Sequence, residues 1–168
     1  AALYELENTP SSPAMAEANG AYQVSGVLLQ DEFGGSSLDS SLWTQERGNI
    51  SLNGGKLVST GRGTIVSKQE FPGPKRITVR LRLDGWPAIA SIFILTNGET
   101  ANSYNELKGV GVAVYWEENR ITLIDTATRT RADKSYSFQD SDWHDLVIND
   151  YGTSVKVILD DQHTLSLD

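Results

Sequence analysis

Asp31 to Val58, DEFGGSSLDSSLWTQERGNISLNGGKLV, and Trp143 to Asp161, WHDLVINDYGTSVKVILDD, decide the fold of this chain. The first stretch carries Phe33, a Gly-Ser loop, Leu38 and Trp43. Two short apolar segments follow, Ile50-Ser51-Leu52 and Lys56-Leu57-Val58, on either side of Asn53-Gly54-Gly55. Asn and Gly accept the positive φ that a tight hairpin needs, so this spacing predicts two antiparallel strands. The second stretch opens on Trp143, turns at Tyr151-Gly152, and alternates apolar and polar through Val155, Val157 and Leu159. Strict alternation puts one face of a strand in a core and the other in water.

The same signals continue outward along the chain. Val24, Val27, Leu28 and Leu29 mark a first strand within Tyr22 to Leu29, which is a candidate sheet edge. Ile65-Val66 follows a Gly-Arg-Gly turn. Ile77, Val79, Leu81 and Leu83 alternate with Thr78, Arg80 and Arg82. Ala88 to Leu95 is almost wholly apolar and reads as a strand covered on both faces. Val110, Val112, Val114 and Trp116 alternate again, and a turn at Glu117-Glu118-Asn119 leads into Ile121 to Ile124. Ser135 to Phe138, Trp143 to Asn149, Ser154 to Leu159 and Thr164 to Leu167 complete the set. About a dozen short strands at spacings of roughly eight to twelve residues predict an all-β protein, an antiparallel two-sheet β-sandwich of jelly-roll type. No amphipathic helix is expected beyond a single turn within Glu99 to Lys108.

Residues 1–20, AALYELENTPSSPAMAEANG, have no clean period, and Pro10 and Pro13 break any helix through them. They read as an N-terminal arm or linker ahead of a domain spanning 21–168. One use of such an arm is docking on a neighbouring subunit through Leu3, Tyr4 and Leu6. The chain opens on Ala1 rather than Met and has no leader pattern, which reads as a processed or trimmed protein.

The length of 168 residues suits one sandwich domain with an ordinary core. There is no cysteine, hence no disulfide, thiolate nucleophile or zinc–thiolate site. Asp and Glu number 22 against 14 Lys and Arg, a net charge of −8, which argues against nucleic acid and anionic membranes as partners. No apolar run approaches the roughly eighteen residues of a membrane-spanning helix.

From Gln30 to Leu167 the chain resembles laminin-G-like and concanavalin A-like domains. The resemblance rests on Phe33, Leu38 and Trp43, the NGGKL hairpin, RITVRLRL, and WHDLVIN followed by VKVILDD. It implies that Trp43 and Trp143 pack in the core and that Asp160 closes a turn. It also implies handling of sugars, by a lectin-like module or by a glycoside hydrolase.

The residues themselves argue against catalysis. A retaining glycosidase needs two carboxylates about 5 Å apart. The Glu-x-Asp-x-x-Glu signature of laminarinase-type enzymes is missing, Asp31 and Glu32 point to opposite faces, and Glu117-Glu118 falls in a turn. His144 and His163 are the two histidines, and no Gly-x-Ser-x-Gly elbow accompanies them, so no triad or transition-metal motif is expected. Calcium is the one cofactor to weigh, through Asp140 and Asp142, with Asp160-Asp161 as a second pair of oxygen donors. Both clusters also read as turn residues that cap backbone amides.

A glycan site pairs a flat ring with polar groups that bond hydroxyls. Trp86, in the turn Asp84-Gly85-Trp86-Pro87, is the first candidate. Tyr104 follows, with Asn102 and Asn105 beside it. Tyr115 shares a strand face with Gly111 and Ala113, whose small size leaves room for a ligand or for a facing sheet. Arg80 and Arg82 form a cationic stripe, and Arg129 and Arg131 repeat the spacing. Such a stripe suits a carboxylated or sulfated glycan, or cross-strand pairing with acidic neighbours.

The expected function is a non-catalytic carbohydrate-binding or adhesion module, extracellular or on a cell or virion surface. The alternative is a structural subunit of an assembly, such as a phage decoration or tail protein or an extracellular filament, that self-associates through residues 1–20. A third reading is a glycoside hydrolase or lyase with an unfamiliar site.

Overall fold

The computed structural model describes residues 2–5, 27–61, 63–85, 88–95 and 109–168. Among them are thirteen strands and no helix. In chain order they are β1 (Ala2–Glu5), β2 (Trp43–Arg47), β3 (Ile50–Leu52), β4 (Leu57–Ser59), β5 (Thr64–Ser67), β6 (Lys75–Leu83) and β7 (Ile89–Leu95). Next come β8 (Gly109–Tyr115), β9 (Arg120–Asp125), β10 (Thr130–Ser135), β11 (His144–Asp150), β12 (Val155–Leu159) and β13 (His163–Leu167). Seven form one sheet in the order β13-β12-β11-β6-β1-β4-β3, four form a second in the order β10-β9-β8-β7, and β2 and β5 make a two-stranded ribbon. The strand pairs are antiparallel.

The two larger sheets form a sandwich because each strand has one apolar parity. In β6, Val79, Leu81 and Leu83 turn inward; so do Val112 and Val114 of β8, Ile121 and Leu123 of β9, and Val155, Val157 and Leu159 of β12, all in one core cluster. Each such side chain gains about 25 cal/mol per Å² of apolar surface removed from water, and only the alternating register lets both sheets contribute.

Turn chemistry fixes the register. Gly54 and Gly55 have φ of 60° and 74°, and Asn53 N donates to Lys56 O at 2.9 Å, which closes the β3–β4 hairpin. Asp160 and Asp161 have φ of 49° and 55°, and Gln162 N donates to Leu159 O at 3.1 Å. Positive φ at both central residues is the primed turn whose twist matches a β-hairpin, and Asp is among the few side chains that tolerate it.

Several expectations need correction. Residues 2–5, assigned to an arm, form β1 inside the large sheet, paired with both β4 and β6. Residues 27–30 are irregular rather than strand, and Val27 and Leu28 are exposed; the rest of that stretch, like Leu6 and the single helical turn within 99–108, lies outside the described residues. The strand expected at Ser135 to Phe138 is instead β10, Thr130–Ser135, because Tyr136 and Phe138 leave the ladder to cap the core, Phe138 wholly buried and the two rings 4.9 Å apart. The polar strand β2 escaped notice because Thr44, Gln45 and Glu46 show no apolar alternation. Strand β7 is not covered on both faces: Ile89 is 53% exposed, and Ser91 and Phe93 are half-buried.

Candidate functional site

The expected ligand-binding residues do not form one site. Arg80 and Arg82 alternate with Val79, Leu81 and Leu83, so they stand on the outer face of the seven-stranded sheet. Tyr115 alternates with Val112 and Val114, so it stands on the outer face of the four-stranded sheet. The shared core lies between them. Trp86, Asn102, Tyr104 and Asn105 lie outside the described residues.

The outer face of the large sheet carries an aromatic that the resemblance assigned to the core. Trp143, one residue ahead of β11, has the outward parity of Asp145 and is half-buried. Lys56 Nζ lies 5.0 Å and Arg82 Cζ 5.4 Å from its ring centroid. Each contact contributes about 0.5–1 kcal/mol at an exposed site. The ring stays outside because His144 takes the inward position at the strand's entry. Its indole N–H makes no hydrogen bond among the described residues. The arginines beside it have acidic neighbours. An Arg82 terminal nitrogen lies 2.8 Å from Asp84 Oδ2, and Arg80 Nε lies 3.7 Å from Asp145 Oδ1, its register partner across the β6–β11 pair. Lys56 has no ion pair among the described residues. Lys56 and Arg82 thus bring two cations against one half-buried indole, on a protein whose net charge is −8.

Trp43 is also half-buried rather than core. It packs on Phe33 at 6.1 Å between centroids, and its indole N–H donates to Asp31 Oδ2 at 2.8 Å. Asp31 Oδ1 accepts from Phe33 N at 2.7 Å, which holds Phe33 at a φ of 51°. Beside this brace the Gly-Ser loop borders an open depression of about 490 Å³ lined by Ser36, Ser37, Asp39 and Ser40 among others. The Ser41 hydroxyl and amide hold the Asp39 carboxyl below its usual range.

On the opposite surface, the room expected beside Tyr115 is filled. The Phe93 ring covers Gly111 so closely that a Cβ there would sit 2.2 Å from a ring carbon, and Ala113 is fully buried. The Arg120 guanidinium stacks 4.6 Å from the Tyr115 centroid and pairs with Glu118 at 2.5 Å. Arg131 pairs with Asp133, while Arg129 sits in the β9–β10 turn with a φ of 60°. Burial raises the Asp133 carboxyl, but the Thr122 hydroxyl at 2.6 Å and the Arg131 guanidinium outweigh it and hold it low.

Asp140 and Asp142, the expected calcium ligands, are engaged in a turn. Asp140 Oδ1 accepts from Asp142 N at 3.1 Å and faces His144 Nε2 at 3.2 Å. No group of three or more potential metal-ligating side chains occurs among the described residues. His144 is buried, and its other nitrogen, Nδ1, lies 2.9 Å from Asp160 Oδ2. The Tyr136 hydroxyl donates to the same oxygen, and Asp160 Oδ1 accepts from Asp145 N at 2.8 Å. Burial raises the Asp160 carboxyl; the bonds from Tyr136, His144 and the Asp145 amide more than offset this and leave it below its usual range. Burial, then the Asp160 carboxylate, push the Tyr136 phenol well above its ordinary value. This clasp ties the β12–β13 turn to the entry of β11, which is the turn-closing role expected of Asp160.

No family model matches the chain, and neither a curated protein nor a solved structure does.

Proposed function

We propose that this protein is a non-catalytic glycan-binding module of the cell or virion exterior, and that it takes an anionic polysaccharide on the outer face of its seven-stranded sheet. The observation that carries the reading is Trp143: a half-buried indole on the outer sheet face, its N–H without a partner among the described residues, with Lys56 and Arg82 against its ring. The C–H face of a pyranose packs on an aromatic ring, and the indole N–H can donate to a hydroxyl. Lys56, Arg82 and Arg80 then supply charge for a carboxylate or sulfate, in competition with Asp84 and Asp145. Arg80 and Arg82 belong to this site, and Tyr115, on the opposite surface, does not.

Isothermal titration against neutral, uronate-containing and sulfated polysaccharides tests the reading. Acidic polymers bind, and Trp143→Ala weakens them by about tenfold or more, as the loss of roughly 1.5 kcal/mol requires, at a little-changed melting temperature. Binding that is equal in native protein and variant, or no binding to any polymer, overturns it.

A further inference from the structure

The outer face of the seven-stranded sheet changes character along β11. At the end near Trp143 the arginines meet acidic side chains, Arg82 beside Asp84 and Arg80 beside Asp145. At the other end the register sets Arg76 opposite Asn149, Asn149 opposite Lys156, and Lys156 opposite Ser166. Asn149 alternates with Leu146 and Ile148, Lys156 with Val155 and Val157, and Ser166 follows Leu165, all of which face the core. Arg76 shares the parity of Arg80 and Arg82. The four therefore form one outward row across four adjacent strands. The next row toward Trp143 is Thr78, Val147, Ile158 and Thr164. Neither row contains a carboxylate. In a chain with 22 acidic residues against 14 basic ones, that leaves a cationic area whose own rows supply no counter-charge.

Asn149 gives this area its chemistry. It is only 6% exposed despite its outward parity, and its buried Oδ1 has no hydrogen-bond partner among the described residues. Such an acceptor is uncommon, because it has given up water and received no donor in exchange. Arg76 and Lys156 flank it on strands about 4.8 Å away on either side. Arg76 is exposed and has no ion pair among the described residues. Guanidinium and ammonium groups only donate, and they bind anionic oxygens with charge-assisted hydrogen bonds. A ligand that offers an anionic oxygen to Arg76 and Lys156, with an O–H beside it for Asn149 Oδ1, completes the set. A sugar that carries a carboxylate or sulfate next to a hydroxyl has both. We infer that Arg76, Asn149 and Lys156 form an oxyanion subsite for an acidic sugar residue. Six residues of extended chain, about 20 Å, separate Asn149 from Trp143. An anionic polysaccharide lying along β11 meets the sheet at both ends; that part rests on the reading proposed above, and the subsite itself does not.

Nuclear magnetic resonance of the isotope-labelled full-length chain tests the subsite directly. Glucuronate and a glucose sulfate are the probes, and glucose is the neutral control. An acidic probe is expected to shift the Asn149 side-chain amide signals saturably, and glucose to leave them in place. Arg76→Gln/Lys156→Gln weakens that response by about tenfold or more, as the loss of charge-assisted bonds requires. The native protein alone is decisive should the variant not fold: no shift at Asn149 with either acidic probe, or an equal shift with glucose, overturns the subsite. A response undiminished in a folded double variant does the same. Titration with heparin fragments of increasing length then tests the span. Affinity is expected to rise with length in the native protein, and Trp143→Ala to remove that rise while the Asn149 shift persists. A persistent Asn149 shift with fragment binding indifferent to Trp143 refutes the glycan face at Trp143 and keeps the subsite. Binding that needs Trp143 but never perturbs Asn149 refutes the subsite and keeps the glycan face.

Discussion

Asp160→Asn isolates the clasp that joins the β12–β13 turn to β11. The substitution keeps the size of the side chain, and Asn tolerates the φ of 49° at this position about as well as Asp does. What changes is charge and acceptor count. The native carboxylate accepts from the Tyr136 hydroxyl, from His144 Nδ1 at 2.9 Å and from Asp145 N at 2.8 Å. Asn retains one oxygen, which can stay on the Asp145 amide. Its NH₂ then faces the groups that the second oxygen served. Two charge-assisted hydrogen bonds are lost at about 1.5–3 kcal/mol each, part of which is regained by local rotation, so the expected loss is about 2–4 kcal/mol. For a domain of this length that lowers the melting temperature by roughly 5–15 °C.

Urea denaturation at neutral pH, followed by tryptophan fluorescence and circular dichroism, measures the loss. A double-mutant cycle with Tyr136→Phe measures the coupling, expected at about 0.5–3 kcal/mol for residues in one network. The pH dependence adds an independent check. The Asp160 carboxyl is lower in the folded protein than in the unfolded chain. Its stabilisation is therefore complete above the ordinary Asp value of about 3.9 and is lost as pH falls through the folded value. Native protein and Asp160→Asn thus converge in acid. A variant within about 0.5 kcal/mol of native at pH 7, or a gap that persists unchanged into acid, would refute the reasoning.

Other consequences are equally direct. The Tyr136 phenol is raised above its ordinary value, so its contribution holds below about pH 10 and fades as pH rises through the folded value; in an alkaline melting series, Tyr136→Phe removes that share of the decline. Gly111→Ala puts a methyl against the Phe93 ring and is expected to cost about 1–3 kcal/mol by chemical denaturation, with Phe93→Leu relieving part of it. Leu81→Ala opens a cavity at the centre of the sandwich and is expected to cost about 2–5 kcal/mol in the same measurement.

Much of the sandwich is written in short-range chemistry. The alternation from Ile77 to Leu83 sets β6 and its inward face, Asn53-Gly54-Gly55 sets the β3–β4 hairpin, and Asp160-Asp161 sets the last turn. Each of these depends on a residue's own conformational preference or on a period of two, and both are local. The errors share the opposite property. Tyr136 and Phe138 alternate as a strand does, yet the pair caps the core around His144, a partner that comes later in the chain. Residues 2–5 offer too short a run to show a period, and their strand character is supplied by the ladders of β4 and β6 on either side.

The candidate site shows the same limit most sharply. Parity within a strand tells which side chains leave the core, and it places Arg80, Arg82 and Tyr115 correctly as outward residues. A sandwich, however, has two outsides. Which one a strand faces depends on which sheet it joins, and that follows from the pairing of β6 with β11 and of β8 with β9. No local pattern encodes that choice, so outward residues from β6 and β8 look like members of one surface until the topology separates them. Trp143 inverts the problem. Its hydrophobicity argues for the core, but His144 holds the inward position, anchored by two aspartates from the turns on either side, and parity then obliges the tryptophan to face out. The ring best suited to a ligand in the described structure is therefore set by the buried polar clasp behind it. A change at Asp160 or His144 that loosens the entry of β11 should therefore weaken the proposed glycan binding without touching any group on the proposed face.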